Sequence, residues 1–418
     1  PEGVTLVLVE DSRYALSMLS AAYFDHPAQK LKVIGITGTK GKTTTTHMIR
    51  AILLAAGKKV GMIGTTGTVI GDVVTPTLNT TPESYELHQA FAQMVEAGCE
   101  YAVMEVSSQG IKMHRTDGLY FNYAIFTNIS PDHIGPGEHA DFEEYLYYKT
   151  RLLNMCGIGL VNKDDEHAPQ IIKAANCELY TYSEESKEAD FVASDIRYVS
   201  QPDFVGTEFH ISGKYDMEVR LGIPGLFNVV NALAAVSVCS FLGLDQARIS
   251  HALENIRVNG RMEIVYTSER CTVLVDYAHN AVSMESLLST LRDYKPKRLV
   301  CVFGCGGNRS KDRRYSMGEI GGKMADLSII TADNSRYEKV EDIIADIRGS
   351  IEKTGGKFIE IPDRREAIRY SILHAQPGDM VAVIGKGHED YQEINGVRHH
   401  FLDREVIEET VKELGEKA

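Results

Sequence analysis

"VIGITGTKGKTTTTHMIRAILLAAG", residues 33–57, decides the fold. A β-branched run over 31–37 feeds Gly38-Thr39-Lys40-Gly41-Lys42-Thr43-Thr44, and an amphipathic stretch over 42–56 follows. A strand, a glycine turn and a helix in that order suit an anion. Backbone N–H groups and a helix amino-terminus face its oxygens, and a cation reaches them. Gly38 and Gly41 allow the backbone to approach closely. Lys42 is spaced to reach β- and γ-phosphates, and the Thr43 hydroxyl to ligate Mg²⁺. The strict spacing GxxxxGK[ST] is not met, because Ile36 stands where its first glycine belongs. The competing reading is an ordinary glycine-containing strand–helix turn. It is weakened by the coincidence of strand, glycines, Lys-Thr and helix in one place.

The same rhythm runs outward from this segment. Strands are expected at "KKVGMIGTT", "YAVMEVSS", "YAIFTNIS" and "GIGLVNK", and helices at "SYELHQAFAQMVEAG" and "DFEEYLYYKTRLLNM". Alternating strands and helices imply a mostly parallel sheet covered on both faces. Residues 190–222 alternate apolar and polar as an antiparallel insert would, and "PGLFNVVNALAAVSVCSFLG" returns to helix. A boundary falls near residue 258. Beyond it a second doubly wound series starts with "CTVLVDYAH", "RLVCVFGCGG", "LSIITADNS", "KFIEIPD" and "DMVAVIGKG" as strands. The fold class is therefore α/β, with a P-loop-type central domain over 31–257 and a Rossmann-like domain over 258–418. Residues 1–30, "VTLVLVEDSRYALSMLSAAYFDHP" included, read as one strand and one helix, a pair too small to bury a core alone.

The 418 residues are 43% hydrophobic and 24% charged, which suits globular domains with sizeable cores. A formal net charge of −14 with scattered cations argues against nucleic acid and against an anionic membrane surface. No apolar run approaches a membrane span, and no leader segment is evident. Seven cysteines without a CxxC pair suit reduced thiols and a cytoplasmic setting.

Strand ends elsewhere carry the groups for chemistry. Glu105 closes "YAVME", and Asp132 and His133 follow "YAIFTNIS". A carboxylate and an imidazole beside a phosphate loop suit Mg²⁺ or its waters. Taken singly, Glu105 is equally a turn or cap residue, and His133 a satisfied loop histidine. Lys149 within "EEYLYYKTRLL" reads as a solvated or snorkelling lysine. In the second half, "VFGCGGNRSKDRR", "TADNSRYE" and "VIGKGHEDYQ" each follow a strand. Side by side, they offer Arg309, Asp333, Asn334, Arg336 and Glu389. Arginines clamp carboxylates and acids accept from an ammonium, so the mixture suits a zwitterion.

These residues bring in a resemblance. "GTKGKTTT", "TLNTTPES", "MEVSSQG", "TNISPDH", "NGRMEIV", "DYAHNAVS", "GCGGNRSKDRR", "DNSR" and "GKGHEDYQ" stand in the order found in the Mur ligases, and among them most resemble the muramyl-tripeptide synthetases. The resemblance covers about residues 31–418. It implies an ATP-dependent, ADP-forming amide ligase of peptidoglycan synthesis, and so of cell shape and division. The D-Glu carboxylate of UDP-N-acetylmuramoyl-L-Ala-D-Glu takes the γ-phosphoryl group to become an acyl phosphate, which a diamino acid then attacks. Gly38 to Thr44, Lys42 above all, hold the phosphates. Thr43, Glu105, His133 and Lys149, the last as a carbamate, hold magnesium. Asn228 and Asn231 face adenine, and Arg261 and Asp276 reach phosphate and ribose once the carboxy-terminal domain closes. Asn79, Thr80, Thr81, Ser107 and Arg115 meet the muramyl-dipeptide, with Met113 where the family has glutamine. Arg309, Asp333, Asn334, Arg336, Gly385 and Glu389 meet the amino acid.

At these last positions the chain is similar to the meso-diaminopimelate branch, which needs arginine for a second carboxylate. Ser335 replaces the family's proline, and "DHIGPGEHADFEEYLYYK" is closer to the lysine-adding branch. Meso-diaminopimelate is favoured, with L-lysine as the alternative. The resemblance makes residues 1–30 the remnant of a uridine-binding domain, leaving a shortened, non-catalytic ATP-binding paralogue as a further alternative. A folylpolyglutamate-type ligase is disfavoured by "NTT", "DNSR" and "GKGHE", and a motor NTPase by the lack of arginine-finger features. A monomer is the family default.

Overall fold

The run Lys32–Thr37 becomes a strand with five of its six residues buried, as expected for a strand covered on both faces. It pairs in parallel with Tyr101–Glu105 on one side and Phe121–Phe126 on the other. The computed structural model describes residues 3–132, 134–135 and 137–415. Within these, an eleven-stranded sheet has Lys32–Thr37 near its middle. From it the order runs outward through Tyr101–Glu105, Val60–Gly64, Gly67–Ile70 and Val73–Thr75 on one flank. The other flank runs through Phe121–Phe126, Cys156–Asn162, Glu178–Ser183, Phe191–Gln201, Phe204–Gly213 and Met217–Leu221. Gly67–Ile70 and Val73–Thr75 form an antiparallel extension of the parallel core.

Helix Lys42–Ala55 begins directly after the glycine turn and buries Met48, Ile49, Ile52 and Leu53 on one face. The i, i+1, i+4, i+5 spacing of these four explains why the segment is helical. A core of Val33, Ile63, Phe91, Met104, Phe121, Phe126, Leu152 and their neighbours fills the space under the sheet.

A second sheet has the order Glu263–Thr267, Cys271–Asp276, Asp379–Ile384, Arg298–Phe303, Leu327–Ile330, Phe358–Glu360. All pairs are parallel except the first. Its core joins Val273, Val300, Val302, Ile329, Val381 and Val383 to Ile368, Ile372 and Val406 from the helices. By contact density the chain divides into two units. The first is 1–196, 209–220 and 227–255; the second is 197–208, 221–226 and 256–418.

One expected strand does not form. Residues 4–9, "VTLVLV", carry no strand pairing, and Leu8 is 100% exposed. The apolar, β-branched run predicts a strand, but a strand needs a neighbouring ladder, and none is present among the described residues. The expected helix does form, over Ser12–Tyr23, capped by the Asp11 carboxylate accepting from the Arg13 and Tyr14 amides.

Candidate active site

In the first unit the turn 38–41 is shaped by its glycines. Gly38 has φ 145°, and a Cβ there would lie 1.9 Å from Thr127 Oγ1. Gly41 is left-handed at φ 86°, and a Cβ there would lie 2.4 Å from Asn231 Oδ1. Side chains from the neighbouring strand end pin the turn. Lys40 N donates to Asn128 Oδ1 at 2.9 Å, Asn128 Nδ2 donates to Lys40 O at 3.0 Å, and Thr127 Oγ1 donates to Lys40 O at 2.7 Å. The motif "TNISPDH" directs attention to its acid and imidazole, whereas its first two residues build the loop. The long sequence separation hides that role.

Two ammonium groups meet at this turn. Lys42 Nζ donates to Gly38 O at 2.8 Å and to Thr39 O at 3.1 Å, and Lys149 Nζ donates to Gly38 O at 2.7 Å. Lys149 is 2% exposed, so the snorkelling lysine expected from composition is overturned. Its position in the helix Phe142–Thr150 turns it inward, where Nζ stands 4.6 Å from the Tyr145 ring centre. Burial, and next the Lys42 charge, hold its ammonium well below the ordinary lysine value, while Asp132 opposes the shift. Tyr145 in turn shares a 3.1 Å hydrogen bond with Thr39 Oγ1, and burial raises its phenol to about 12.

Glu105, 1% exposed, ends its strand facing the helix start. Thr43 Oγ1 donates to it from 3.0 Å, and the Thr65 amide from 2.9 Å. Buried carboxylates need such donors, and this one has them. Thr43 and Glu105 thus converge, and hydroxyl and carboxylate oxygens are the donors Mg²⁺ prefers. Among the described residues no cluster of three or more His, Cys, Asp or Glu side chains could hold a metal. A Mg²⁺ here would therefore rely on few protein oxygens and complete its shell from phosphate and water, its usual habit. His133 lies outside the described residues.

Asn228 and Asn231 lie on helix Leu226–Ser240 and are buried, with Asn231 Nδ2 donating to Asn228 Oδ1 at 3.2 Å. Thr81 Oγ1 lies 3.1 Å from Ser107 Oγ and accepts from the Ser107 amide at 3.0 Å. Arg115 donates to Thr81 O at 3.1 Å and pairs with Glu83 at 2.7 Å. Thr80 Oγ1 lies 3.2 Å from Thr65 Oγ1, which links that loop toward Glu105. Asn79, beside it, is partly exposed.

The second unit holds a cavity of about 410 Å³, lined by Arg309, Asp333, Asn334, Arg336, Gly385, Glu389, Tyr277, His279 and Tyr391 among others. The strands Asp379–Ile384, Arg298–Phe303 and Leu327–Ile330 are neighbours in their sheet, so the three loops that follow them share this cavity. Asn334 Nδ2 donates to Glu389 Oε2 at 2.9 Å. Lys386, fully buried, places Nζ 3.3 Å from both Glu389 Oε2 and Asn334 Oδ1. Sequence reading passed over Lys386, because a lysine between two glycines carries no pattern of its own. Asp276 lies off this cluster and accepts from the Met262 and Ala278 amides at 2.8 Å. Burial raises its carboxyl above the usual range despite those donors and nearby Arg261. The Arg261 guanidinium stands 5.0 Å from the Tyr277 ring centre.

Known proteins resemble this chain in sequence and fold. Residues 36–239 match the Mur ligase middle domain, and residues 260–387 the Mur ligase glutamate ligase domain. The chain is 40% identical over 417 residues to the UDP-N-acetylmuramoyl-L-alanyl-D-glutamate–2,6-diaminopimelate ligase of Caldanaerobacter subterraneus, covering 98% of this chain and 84% of that one. It is 38% identical over 423 residues to the ligase of that name in Clostridioides difficile, covering 99% and 85%. A solved structure of a ligase with that name superposes with a TM-score of 0.76 at 32% identity, covering 99% of this chain and 86% of the other. A folylpolyglutamate synthase from Thermotoga maritima shares the fold, with a TM-score of 0.69 at 18% identity over 89% and 90% of the two chains. Two matched domains and this degree of identity along nearly the whole chain place the protein in the Mur ligase family.

Proposed function

We propose that the chain is an ADP-forming ligase that joins meso-diaminopimelate to the D-Glu carboxylate of UDP-N-acetylmuramoyl-L-Ala-D-Glu, in the cytoplasmic stage of peptidoglycan synthesis. Residues 31–257 form its ATP-binding part and 258–418 its amino-acid-binding part. The observation that carries the choice of amine is the cavity where Arg309 and Arg336 stand with Asp333, Asn334 and Glu389. Two guanidinium groups answer a molecule with two carboxylates, and the acids answer its ammonium groups. Lysine has no second carboxylate to offer.

In this reading the D-Glu carboxylate oxygen attacks the γ-phosphorus of ATP, and the bond to the ADP oxygen breaks. The amine nitrogen, having lost a proton, attacks the acyl phosphate carbon, and inorganic phosphate leaves. Such chemistry is mainly positioning and charge neutralisation. Lys42 and the amides of 38–44 hold the phosphates, and the Lys42 ammonium supplies positive charge where negative charge is transferred. Thr43 and Glu105, with His133, are the residues to hold Mg²⁺, which neutralises phosphate oxygens when bound. The depressed Lys149 ammonium supports its proposed modification, because carbon dioxide reacts with a neutral amine. Thr80, Thr81, Ser107 and Arg115, with Asn79, are assigned to the muramyl-dipeptide. Asn228 and Asn231 are assigned to adenine, and Arg261 and Asp276 to the nucleotide.

The test is an ADP-release assay with ATP, Mg²⁺ and UDP-muramoyl-dipeptide, offering diaminopimelate, lysine or ornithine singly. Release that requires both the dipeptide and diaminopimelate is the expected result. Hydrolysis indifferent to the amine, or none, overturns the assignment.

A further inference from the structure

The residues that face the amino-acid cavity do not hold their own shape. Arg336 is left-handed, at φ 52°, a conformation unfavourable for a residue with a long side chain. Something must over-determine it. The hairpin of Tyr391–Ile394 and Val397–His400 does so. Its two-residue turn, Asn395 at φ 51° and Gly396 at φ 76°, has the left-handed pair of a type I′ turn and so fixes the register of both arms.

From that register the first arm reaches the loop 333–336 residue by residue. Gln392 Nε2 donates to Asp333 O at 3.1 Å, and the Glu393 amide donates to Asn334 Oδ1 at 2.9 Å. The Arg336 amide donates to Glu393 O at 3.0 Å, and the Asn395 amide donates to Arg336 O at 2.6 Å. Arg336 and Ile394 form an isolated parallel bridge. Lys386 also donates to Tyr391 O, which ties the hairpin root to the Glu389 loop. The side chain of Arg336 is guided as well. Its Nη1 donates to Gly307 O at 2.7 Å, while Nε stands 3.6 Å from Glu393 Oε2. Nη1 and Nε are thus both engaged by the protein, and Arg336 still lines the cavity.

We infer that the hairpin Tyr391–His400 is the specificity element of the amino-acid cavity, with Glu393 a positioning residue that aims Arg336 at the second carboxylate of the amine substrate. The inference rests on the function proposed above and goes beyond it, since it assigns selection to Gln392 and Glu393, whose side chains do not line the cavity. The partly exposed Glu393 carboxylate costs little fold stability to remove. Its loss frees the guanidinium to sample other directions. Such freedom weakens binding of the distal carboxylate and leaves the shared part of the amino acid untouched.

The experiment compares wild type, Glu393→Ala, Glu393→Asp and Gln392→Ala. For each, KM and kcat are measured with diaminopimelate and with lysine, KM is measured for ATP, and both amino acids are titrated calorimetrically without turnover. For Glu393→Ala we expect the diaminopimelate KM and dissociation constant to rise about tenfold, as one lost guided ion pair allows. The kcat, the ATP KM and the melting temperature should stay near wild type, with lysine unaffected. Glu393→Asp should fall between, and Gln392→Ala should weaken diaminopimelate in the same sense. Unchanged diaminopimelate affinity in Glu393→Ala overturns the inference, as does equal weakening of both amines. A wild type that binds lysine as well as diaminopimelate overturns it too. Binding that follows the expected pattern without dipeptide-dependent ADP release instead overturns the function and leaves the hairpin's role standing.

Discussion

The ammonium groups of Lys42 and Lys149 converge on one carbonyl oxygen, that of Gly38, at 2.8 and 2.7 Å. Two like charges held this close in a buried place are costly to keep protonated, and burial together with the Lys42 charge lowers the Lys149 ammonium. Between its depressed folded value and the ordinary 10.5, the unfolded chain carries a proton that the folded chain lacks. Stability due to Lys149 therefore rises with pH across that window. Lys149→Met removes the titrating group and keeps the buried stem. In bicarbonate-free buffer it should melt higher than wild type near neutrality, with the gap closing as the pH approaches 10.5, while ligase turnover is lost. Thermal melts across pH 6 to 10 check this; a gap that widens with pH refutes it.

Glu105 offers a second test. Its carboxylate accepts from the Thr43 hydroxyl and the Thr65 amide, so Glu105→Gln keeps the shape and most of the donors while removing the charge. We expect a well-folded protein whose ADP formation falls by about 10²-fold or more, the scale of losing one preorganised electrostatic contact. The Mg²⁺ concentration for half-maximal rate should rise. An unchanged Mg²⁺ dependence would falsify the assignment of Glu105 to the metal.

Arg364 and Asp403 form a bidentate pair with both distances 2.7 Å and both side chains fully buried. Arg364 also donates to Ala332 O at 3.2 Å and Ile384 O at 3.0 Å. It therefore ties together the strand ends that carry Asp333 and Gly385. Asp403→Ala leaves a buried guanidinium uncompensated and should destabilise the protein by about 3–5 kcal/mol. Arg364→Met combined with Asp403→Leu should recover part of that loss, yet weaken the amino acid, because the two carbonyls lose their common donor. Chemical denaturation of wild type and the two variants, with amine KM for the folded ones, decides the matter.

His88 is buried on helix Ser84–Glu96, and among the described residues neither ring nitrogen has a hydrogen-bond partner. Burial lowers its pKa to about 4. From pH 6.5 down to about 4 the unfolded chain binds a proton that the folded chain refuses, so stability falls with pH in that interval. His88→Leu should flatten this decline, and a variant that loses stability as steeply as wild type would show that other groups cause it.

The sequence by itself determined the two α/β series, the glycine turn before helix Lys42–Ala55 and the three loops that line one cavity of the second unit. Each of these rests on local information. Short continuous apolar runs, a glycine–lysine–threonine cluster at a helix start and polar residues just past a strand need no knowledge of distant neighbours. The antiparallel strands Gly67–Ile70 and Val73–Thr75 were missed because they are short and the second is wholly exposed. Residues 4–9 have the apolar, β-branched run of a strand and, among the described residues, no strand to pair with, so local pattern overstated them.

Tertiary structure alone decided what holds the site in shape. Asn128 grips Lys40 from 88 positions away, Lys149 reaches Gly38 from 111, and Arg364 meets Asp403 from 39. A buried polar group is satisfied by whatever donor the fold delivers to it, and which donor that is depends on sheet order rather than on sequence spacing. For the same reason Lys149 reads as a surface lysine in its own helix and becomes a buried one only when the turn 38–41 is packed against it.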